Sequence, residues 1–229
     1  MAKKSKKQEF ISQIEHNILS GKWKVGEQIP TERELVSMYG ASRTVVNAAL
    51  SELAQKGFLN INPRQWTQVA DYKREGTLAV IFSMMQYNGR NVDMELLQSV
   101  LDARLLVETE SAKLAAQKRT DEDIALLKSI NRSEKEIIDI KERAEIDYSF
   151  HHALTLAGGN LVYPLIINSF RPFALIYLEI FYSRIEDPSA LAQRHSEIIE
   201  AIKDRDAASA ERLVRELLLH GEQVLKIRR

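Results

Sequence analysis

The spacing of apolar residues divides the chain into a short mixed region and a long helical region. Over the first seventy residues it predicts three short helices and then two strands, GFLNI and WTQV, joined by the tip NPRQ. After Asn91 the spacing stays helical, and no strand pattern returns. The predicted helices cover residues 93–118, 121–138, 141–157, 161–183, 188–203 and 207–227, and residues 76–87 add a connecting helix. The predicted fold class is therefore mainly α.

The third short helix has the features of a helix that enters DNA. Ser42 is a favourable N-cap residue, and Val46, Leu50 and Leu53 share one apolar face. Three short helices and a small β-hairpin, the wing, form a winged helix-turn-helix, in which one helix lies in the major groove. We expect residues 1–72 to form this DNA-binding domain.

Several polar side chains of this region suit contacts with DNA. Arginine can donate two hydrogen bonds to guanine and asparagine can pair with adenine, so Arg43 and Asn47 are predicted to read bases. Thr44, in the first turn, is better placed for a phosphate. Arg64, at the hairpin tip, is expected to enter the neighbouring minor groove, and Arg33 to reach the DNA backbone or a base. The predicted DNA contacts are Arg33, Ser42, Arg43, Thr44, Asn47 and Arg64.

Charge is unevenly distributed along the chain. The formal net charge is zero. In residues 1–70, however, Lys and Arg outnumber Asp and Glu by 10 to 6, against 22 to 26 in the remainder. The basic part is the predicted DNA-binding part, as expected if only that part faces phosphates. Lys3, Lys4, Lys6 and Lys7 either add nonspecific attraction or form a solvated tail.

Composition narrows the possible chemistry and compartment. The chain has no cysteine, which excludes disulfides, thiolate nucleophiles and Cys-ligated zinc. The N-terminal lysines have no apolar stretch behind them, so they do not form a signal peptide. Polar residues interrupt the apolar segment 163–182, which argues against a membrane span. We expect a cytoplasmic protein with no membrane association.

Three ionisable residues of the helical region suit a metal ion. Asp147 and His151 lie four positions apart and share a helix face, and His195 lies on a later helix. A carboxylate and two imidazoles can ligate zinc, nickel or manganese. The spacing equally fits a hydrogen-bonded Asp–His pair on a helix surface.

A second pair with the same spacing suggests an effector site. Arg104 and Glu108 form either an ordinary ion pair on a solvated face or, if buried, a site where Arg104 binds an effector carboxylate or phosphate. Pro172 is expected to kink the helix at 161–183 and make room for a ligand. Four polar residues of that helix either line the cavity or lie at the bundle edge: Asn168, Arg171, Tyr177 and Tyr182.

The segment GKWKVGEQIPTERELVSMYGASRTVVNAALSELAQKGFLNI resembles the signature of GntR-family transcription regulators. The likeness covers about the first third of the chain and implies that Arg33 and Arg43 touch operator DNA. Asn47 stands where the family usually has arginine, and residues 63–65 stand where a glycine-containing tip is usual. The resemblance therefore implies a short palindromic site but not a particular operator sequence.

The segments ARLLVETESAKLAA and EIDYSFHHALTLAGGN resemble signatures of the FadR/FCD subgroup, which has an all-helical effector-binding domain. The subgroup implies a metal site made by an aspartate and three histidines. Asp147, His151 and His195 match the first three positions. The fourth falls at Leu217, which cannot ligate, and His220 is the nearest histidine. Some members of the subgroup use the same bundle without a metal.

Together these features predict a homodimeric transcription regulator and not an enzyme. Residues 93–229 are predicted to form an all-α antiparallel bundle for effector binding and dimerisation, and residues 73–92 a linker. A small organic acid or acyl compound would bind the bundle and shift the spacing of two DNA-binding modules. The candidate effector residues are Arg104, Glu108, Asp147, His151, Asn168, Arg171, Tyr177, His195 and His220.

Two other functions fit parts of the pattern. One is an effector-independent dimeric DNA binder, which would have a solid bundle without a cavity. The other is a metal-dependent hydrolase with Glu108 as the base. The sequence has no second carboxylate cluster, nucleophile elbow or phosphate loop to support the hydrolase.

Overall fold

The computed structural model describes residues 5–63, 65–88, 93–187 and 189–226, except for the side chains of residues 88, 134–136 and 226. The predicted fold class is confirmed, since helices make up most of the described chain and one small antiparallel sheet follows the first three helices. The chain divides into two compact units, residues 1–93 and 94–229.

The first unit has the element order of a winged helix-turn-helix. Strands β1 and β2 are antiparallel, with Leu59 opposite Val69 and Asn62 opposite Trp66. A single bridge between Gln28 and Gln68 adds the segment before α2 to the edge of this hairpin. The elements are α1 (Lys6–Leu19), α2 (Glu32–Tyr39), α3 (Arg43–Lys56), β1 (Leu59–Asn62), β2 (Trp66–Val69), α4 (Tyr72–Glu75) and α5 (Ala79–Asn88).

Local sequence signals account for where α2 and α3 begin and end. Thr31 and Glu34 form the predicted capping box at the start of α2, because each side chain bonds the other's backbone N–H. Ser42 caps α3 by accepting a hydrogen bond from the backbone N–H of Val45. Gly40 and Gly57 end the two helices in the left-handed conformation, where a side chain would be strained.

Gly57 is also a point of close backbone approach. A Cβ atom at this position would lie 2.5 Å from the Glu75 carbonyl oxygen and 2.7 Å from the Gly76 Cα atom. The C-terminus of α3 therefore packs directly on the end of α4. Only glycine fits this junction without a shift of the backbone.

The predicted connecting helix is part of the first unit. Val80 of α5 is buried in the same core as Ile14, Leu35 and Leu53, and Ser83 donates a 2.7 Å hydrogen bond to the buried carboxylate of Glu15. Thus α5 packs on α1, and the compact unit extends over most of the segment predicted as a linker.

The second unit is a bundle of seven helices among the described residues. Helix α6 packs against α8 and α12, and α7 packs against α8 and α11. The helices are α6 (Met94–Lys118), α7 (Asp121–Glu136), α8 (Ile140–Ala157), α9 (Tyr163–Ser169), α10 (Arg171–Tyr182), α11 (Ser189–Lys203) and α12 (Ala207–Lys226).

The single helix predicted over residues 161–183 is divided in two. Helices α9 and α10 meet at Phe170 with a bend of 64°. Pro172 lies in the first turn of α10, where its missing N–H breaks no hydrogen bond. Within the described ranges, no single helix is long and apolar enough to cross a membrane, and α9 and α10 reach that length and composition only when taken together across their bend.

Candidate functional site

The exposed face of α3 begins at its capped N-terminus. The Arg43 side chain is 82% exposed, and Thr44 and Asn47 are exposed as well. Val46 and Leu50, on the opposite face, are buried in the unit's core. Burial on one side therefore turns the predicted base-reading residues outward, as contact with a DNA groove requires.

Two of the remaining predicted DNA contacts are exposed, and one lies outside the described residues. Ser42 is exposed and its hydroxyl is used by the cap. Arg33 is exposed on α2. Arg64 lies outside the residues that the structure describes.

The sequence did not indicate that Glu32 belongs to the same surface. One of its carboxylate oxygens, Oε2, lies 3.5 Å from the Arg43 Nε atom. One end of the Asn47 side-chain amide lies 2.9 Å from Oε2 and 3.1 Å from Oε1. Because a carboxylate can only accept hydrogen bonds, the amide end that faces it must be the nitrogen, which donates to both oxygens. In the sequence, the one feature that could have linked Glu32 to this surface is its position at the start of α2, directly before Arg33.

In the second unit, Arg104 and Glu108 are buried inside the bundle. Arg104 is 6% exposed and Glu108 is fully buried, and the Arg104 Nε atom donates to Glu108 Oε1 at 2.6 Å. The other carboxylate oxygen of Glu108 lies 2.5 Å from the Nδ1 atom of His151. Glu108 therefore joins the predicted anion-binding arginine to the predicted metal-binding histidine.

The charge on Glu108 depends on these two partners. Burial alone would raise the pKa of this carboxyl group. The charges and hydrogen bonds of Arg104 and His151 outweigh burial and lower the pKa to about 2. In the neutral form of His151, an ionised Glu108 favours the tautomer that carries its proton on Nδ1, which leaves the Nε2 lone pair available to a metal.

Asp147, His151 and His195 converge as the sequence predicted. All three are buried, and one ligand atom from each lies within 4.8 Å of the others. Asp147 accepts a hydrogen bond from the Tyr182 hydroxyl at 2.9 Å through Oδ2. Its Oδ1 atom is buried without a hydrogen-bond partner and lies 3.5 Å from His151 Nε2. These donors fit a divalent metal ion.

A cavity of about 30 Å³ lies beside this cluster. Its polar wall is formed by Arg104, Asp147, His151 and Tyr177. The Tyr177 hydroxyl is buried without a hydrogen-bond partner, and its ring lies 5.2 Å from the Arg104 guanidinium carbon. The apolar wall consists of Leu101, Leu178, Phe181, Leu191, Leu217 and Leu218, with Gly221 at its edge.

The fourth ligand position of the subgroup remains apolar. Leu217 is buried and lines the cavity, whereas His220 is not among the converging ligands. Burial lowers the pKa of His220, and the charge of Arg194 lowers it further. His220 is also not among the residues that line the cavity.

Two other predicted effector residues lie on the surface. Asn168 is exposed and accepts a hydrogen bond from the Tyr148 hydroxyl at 3.2 Å. Arg171 is exposed and donates to Glu145 at 2.7 Å. The structure does not bring these side chains to the cavity beside Arg104.

Comparison with known proteins places both units in one family. Residues 6–69 match the model of bacterial regulatory proteins of the gntR family. Residues 99–220, more than half of the chain, match the FCD domain. The chain belongs to the GntR family and carries an FCD domain. It is a transcription regulator and not an enzyme, and a small effector bound by the FCD domain controls DNA binding by the first unit.

Two relatives and one solved structure illustrate the similarity of this GntR regulator to known proteins. The transcriptional regulator Mce2R of Mycobacterium tuberculosis is 28% identical over 224 residues, which cover 95% of this chain and 90% of that protein. The fatty acid metabolism regulator of Shewanella denitrificans is 29% identical over 181 residues, 78% and 73% of the two chains. The structure of Lar from Listeria monocytogenes aligns over all of both chains with a TM-score of 0.68 at 13% identity, and so shares the fold.

Proposed function

We propose that this regulator binds a short palindromic operator as a homodimer and responds to a small organic acid that binds next to a divalent metal. The observation that carries the proposal is the convergence of Asp147, His151 and His195. Asp147 and His151 also line a cavity together with Arg104 and Tyr177. A metal and an arginine together suit a carboxylate ligand, because both attract negatively charged oxygen atoms.

The metal is zinc, nickel or manganese in this proposal, and Asp147, His151 and His195 hold it. A bound metal would attract an acid's oxygen atoms as a Lewis acid. With Leu217 at the remaining position of the subgroup's site, the described part of the chain supplies three ligands. Sites with three protein ligands characteristically bind an exogenous ligand as well, which supports an acid that contacts the metal directly.

Cavity size favours a small acid over a long acyl compound. A volume of about 30 Å³ holds one or two water molecules. A small carboxylate needs only limited movement of Leu178, Phe181 and Leu217, whereas an acyl chain needs a much larger displacement of closely packed side chains. Arg104 would pair with the carboxylate, and the Tyr177 hydroxyl would donate to it.

Metal binding can be tested with two neighbouring histidines of α8. His151 contributes to the cluster, whereas His152 stacks on Tyr148. We expect the purified protein to bind one zinc, nickel or manganese ion in titration calorimetry, and His151→Ala to weaken that binding at least about tenfold. His152→Ala serves as the matched control and should bind like the wild type. Failure of the wild type to bind any of the three metals would refute this part of the proposal.

DNA recognition can be tested with two exposed arginines of the first unit. Arg43→Ala should weaken binding to a duplex selected from a random library by about 10-fold to 100-fold, since a bidentate arginine contributes about 1–3 kcal/mol of discrimination. Arg74→Ala is the control, because this arginine is also exposed but lies on α4. Fluorescence anisotropy would measure both affinities. Equal affinity of the Arg43 variant and the wild type would exclude α3 as the reading helix.

A further inference from the structure

Glu32 lies between the two side chains predicted to read bases. It is the first residue of α2, while Arg43 and Asn47 stand one turn apart on α3. Its carboxylate faces the Arg43 Nε atom at 3.5 Å. One end of the Asn47 amide lies 2.9 and 3.1 Å from the same carboxylate, and hydrogen-bond chemistry assigns that end as the nitrogen. A single carboxylate thus contacts both side chains.

We infer that Glu32 is a specificity-determining residue that orients Asn47, so that its carbonyl oxygen faces the DNA. The inference rests on the proposed role of α3 as the reading helix. Because the amide nitrogen is bound to Glu32, the oxygen at the other end of the amide points away from the carboxylate. Asn47 then presents a hydrogen-bond acceptor to the groove.

An outward acceptor selects bases that carry an amino group. In the major groove, adenine presents N6–H₂ and cytosine presents N4–H₂, and both are donors. Guanine presents O6 and N7, and thymine presents O4, which are acceptors. Asn47 held by Glu32 therefore favours adenine or cytosine at its base position and disfavours guanine and thymine.

The Glu32 carboxylate leaves the two terminal nitrogens of Arg43 free of its own contacts, because it faces Nε. A bidentate contact with guanine can use these two terminal nitrogens of the guanidinium group. The exposed contacts are weak in water. In a groove that excludes water, the hydrogen bonds of Glu32 become stronger because the local dielectric constant is lower. A buried carboxylate without hydrogen-bond donors would also cost free energy there. Glu32 is thus expected to keep both partners when DNA binds.

The test compares base preference and nonspecific affinity in Glu32→Gln. Asn47→Ala first identifies the base position at which the variant no longer prefers the base that the wild type selects. The selected duplex is then synthesised with each of the four bases at that position. We expect the wild type to discriminate amino-bearing bases from the others at least about tenfold, and Glu32→Gln to reduce this ratio to under about threefold. Removing a negative charge should also strengthen binding to random-sequence DNA.

A matched control separates charge from orientation. Glu52→Gln removes the same charge from α3, where Glu52 pairs with Lys7 and Lys56, and should leave the base preference unchanged. A purely structural role for Glu32 predicts uniform weakening on all sequences, which would overturn the inference. The inference would also be overturned if Glu32→Gln changed the base preference only at a different position, one that Asn47→Ala leaves unchanged, since Glu32 would then contact that base itself.

The outcomes also distinguish this inference from the proposed function. If the wild type selects no sequence, α3 is not the reading helix and the proposed function fails. If the wild type selects a sequence and Glu32→Gln keeps the same base preference, only the inference about Glu32 fails.

Discussion

At the scale of single residues, Glu108 is an ionised side chain inside the helical bundle. Its carboxylate is fully buried, and each oxygen has a partner, Arg104 on one side and His151 on the other. A buried charge costs several kcal/mol unless it is paired and hydrogen-bonded. The ionised form persists because these partners lower its pKa to about 2.

Glu108→Gln is expected to destabilise the protein by about 3–5 kcal/mol at neutral pH, because it leaves the buried Arg104 without its anion. The folded pKa is below the usual value of 4.5. The stabilisation from ionised Glu108, about 3 kcal/mol, is therefore fully present above pH 4.5 and is lost as the pH falls towards 2. Urea unfolding of the wild type and of Glu108→Gln should show a difference in the free energy of unfolding that narrows only below pH 4.5.

Glu110→Gln is the control for this prediction. Glu110 lies on the same helix and forms a half-exposed pair with Lys113. Its loss should change the free energy of unfolding by less than about 1 kcal/mol at any pH. A difference for Glu108→Gln that stays constant through the acid range would contradict the assigned pKa.

Residue spacing predicted only part of this site. Spacing of four positions indicated the Arg104–Glu108 and Asp147–His151 pairs. The contact between Glu108 and His151 joins residues 43 positions apart, and it depends on how α6 packs against α8. The same applies to Asn168 and Arg171, which lie in a largely apolar segment although both side chains face solvent.

At the level of the helices and strands, residues that cap or end a helix allowed most of the boundaries around α2 and α3 to be predicted. The capping residues before α2 and α3 and the glycines after them are local features that the sequence displays directly. The bridge between Gln28 and Gln68 joins segments that are distant in the sequence, so local spacing did not indicate it. The four-residue helix α4 is too short to show a helical spacing of apolar residues. Pro172 indicated a bend, but the helix breaks at Phe170, before the turn where proline is tolerated.

Gly40 and Gly57 give a matched test of the junction between α3 and α4. Both end a helix with positive φ, but a Cβ atom at Gly40 would meet nothing within 4 Å, whereas at Gly57 it would clash with the backbone of Glu75 and Gly76. Gly40→Ala is expected to cost about 1 kcal/mol and Gly57→Ala about 3 kcal/mol. Urea unfolding would measure both losses, and equal losses would show that the close approach is unimportant.

For the whole molecule, two compact units with separate cores predict two unfolding transitions. A metal bound at the Asp147 cluster stabilises only the unit that holds it, by about 2.7 kcal/mol at a hundredfold excess over its dissociation constant. Scanning calorimetry with zinc should therefore raise one transition temperature and leave the other unchanged.

The assignment of the two transitions can be checked independently. Gly57→Ala should lower the transition that zinc leaves unchanged, because Gly57 belongs to the first unit. His151→Ala should abolish the effect of zinc. A zinc-dependent shift of both transitions by the same amount would show that the units unfold together.

The single carboxylate of Glu108 has a consequence for regulation. It has two oxygen atoms, and the arginine that would bind the acid holds one while the histidine that would bind the metal is bonded to the other. An acid that competes with Glu108 for Arg104 would change how strongly Glu108 polarises His151, so each ligand would alter the affinity for the other by the same factor. The sensitivity of such a regulator to the acid would then depend on the supply of the metal.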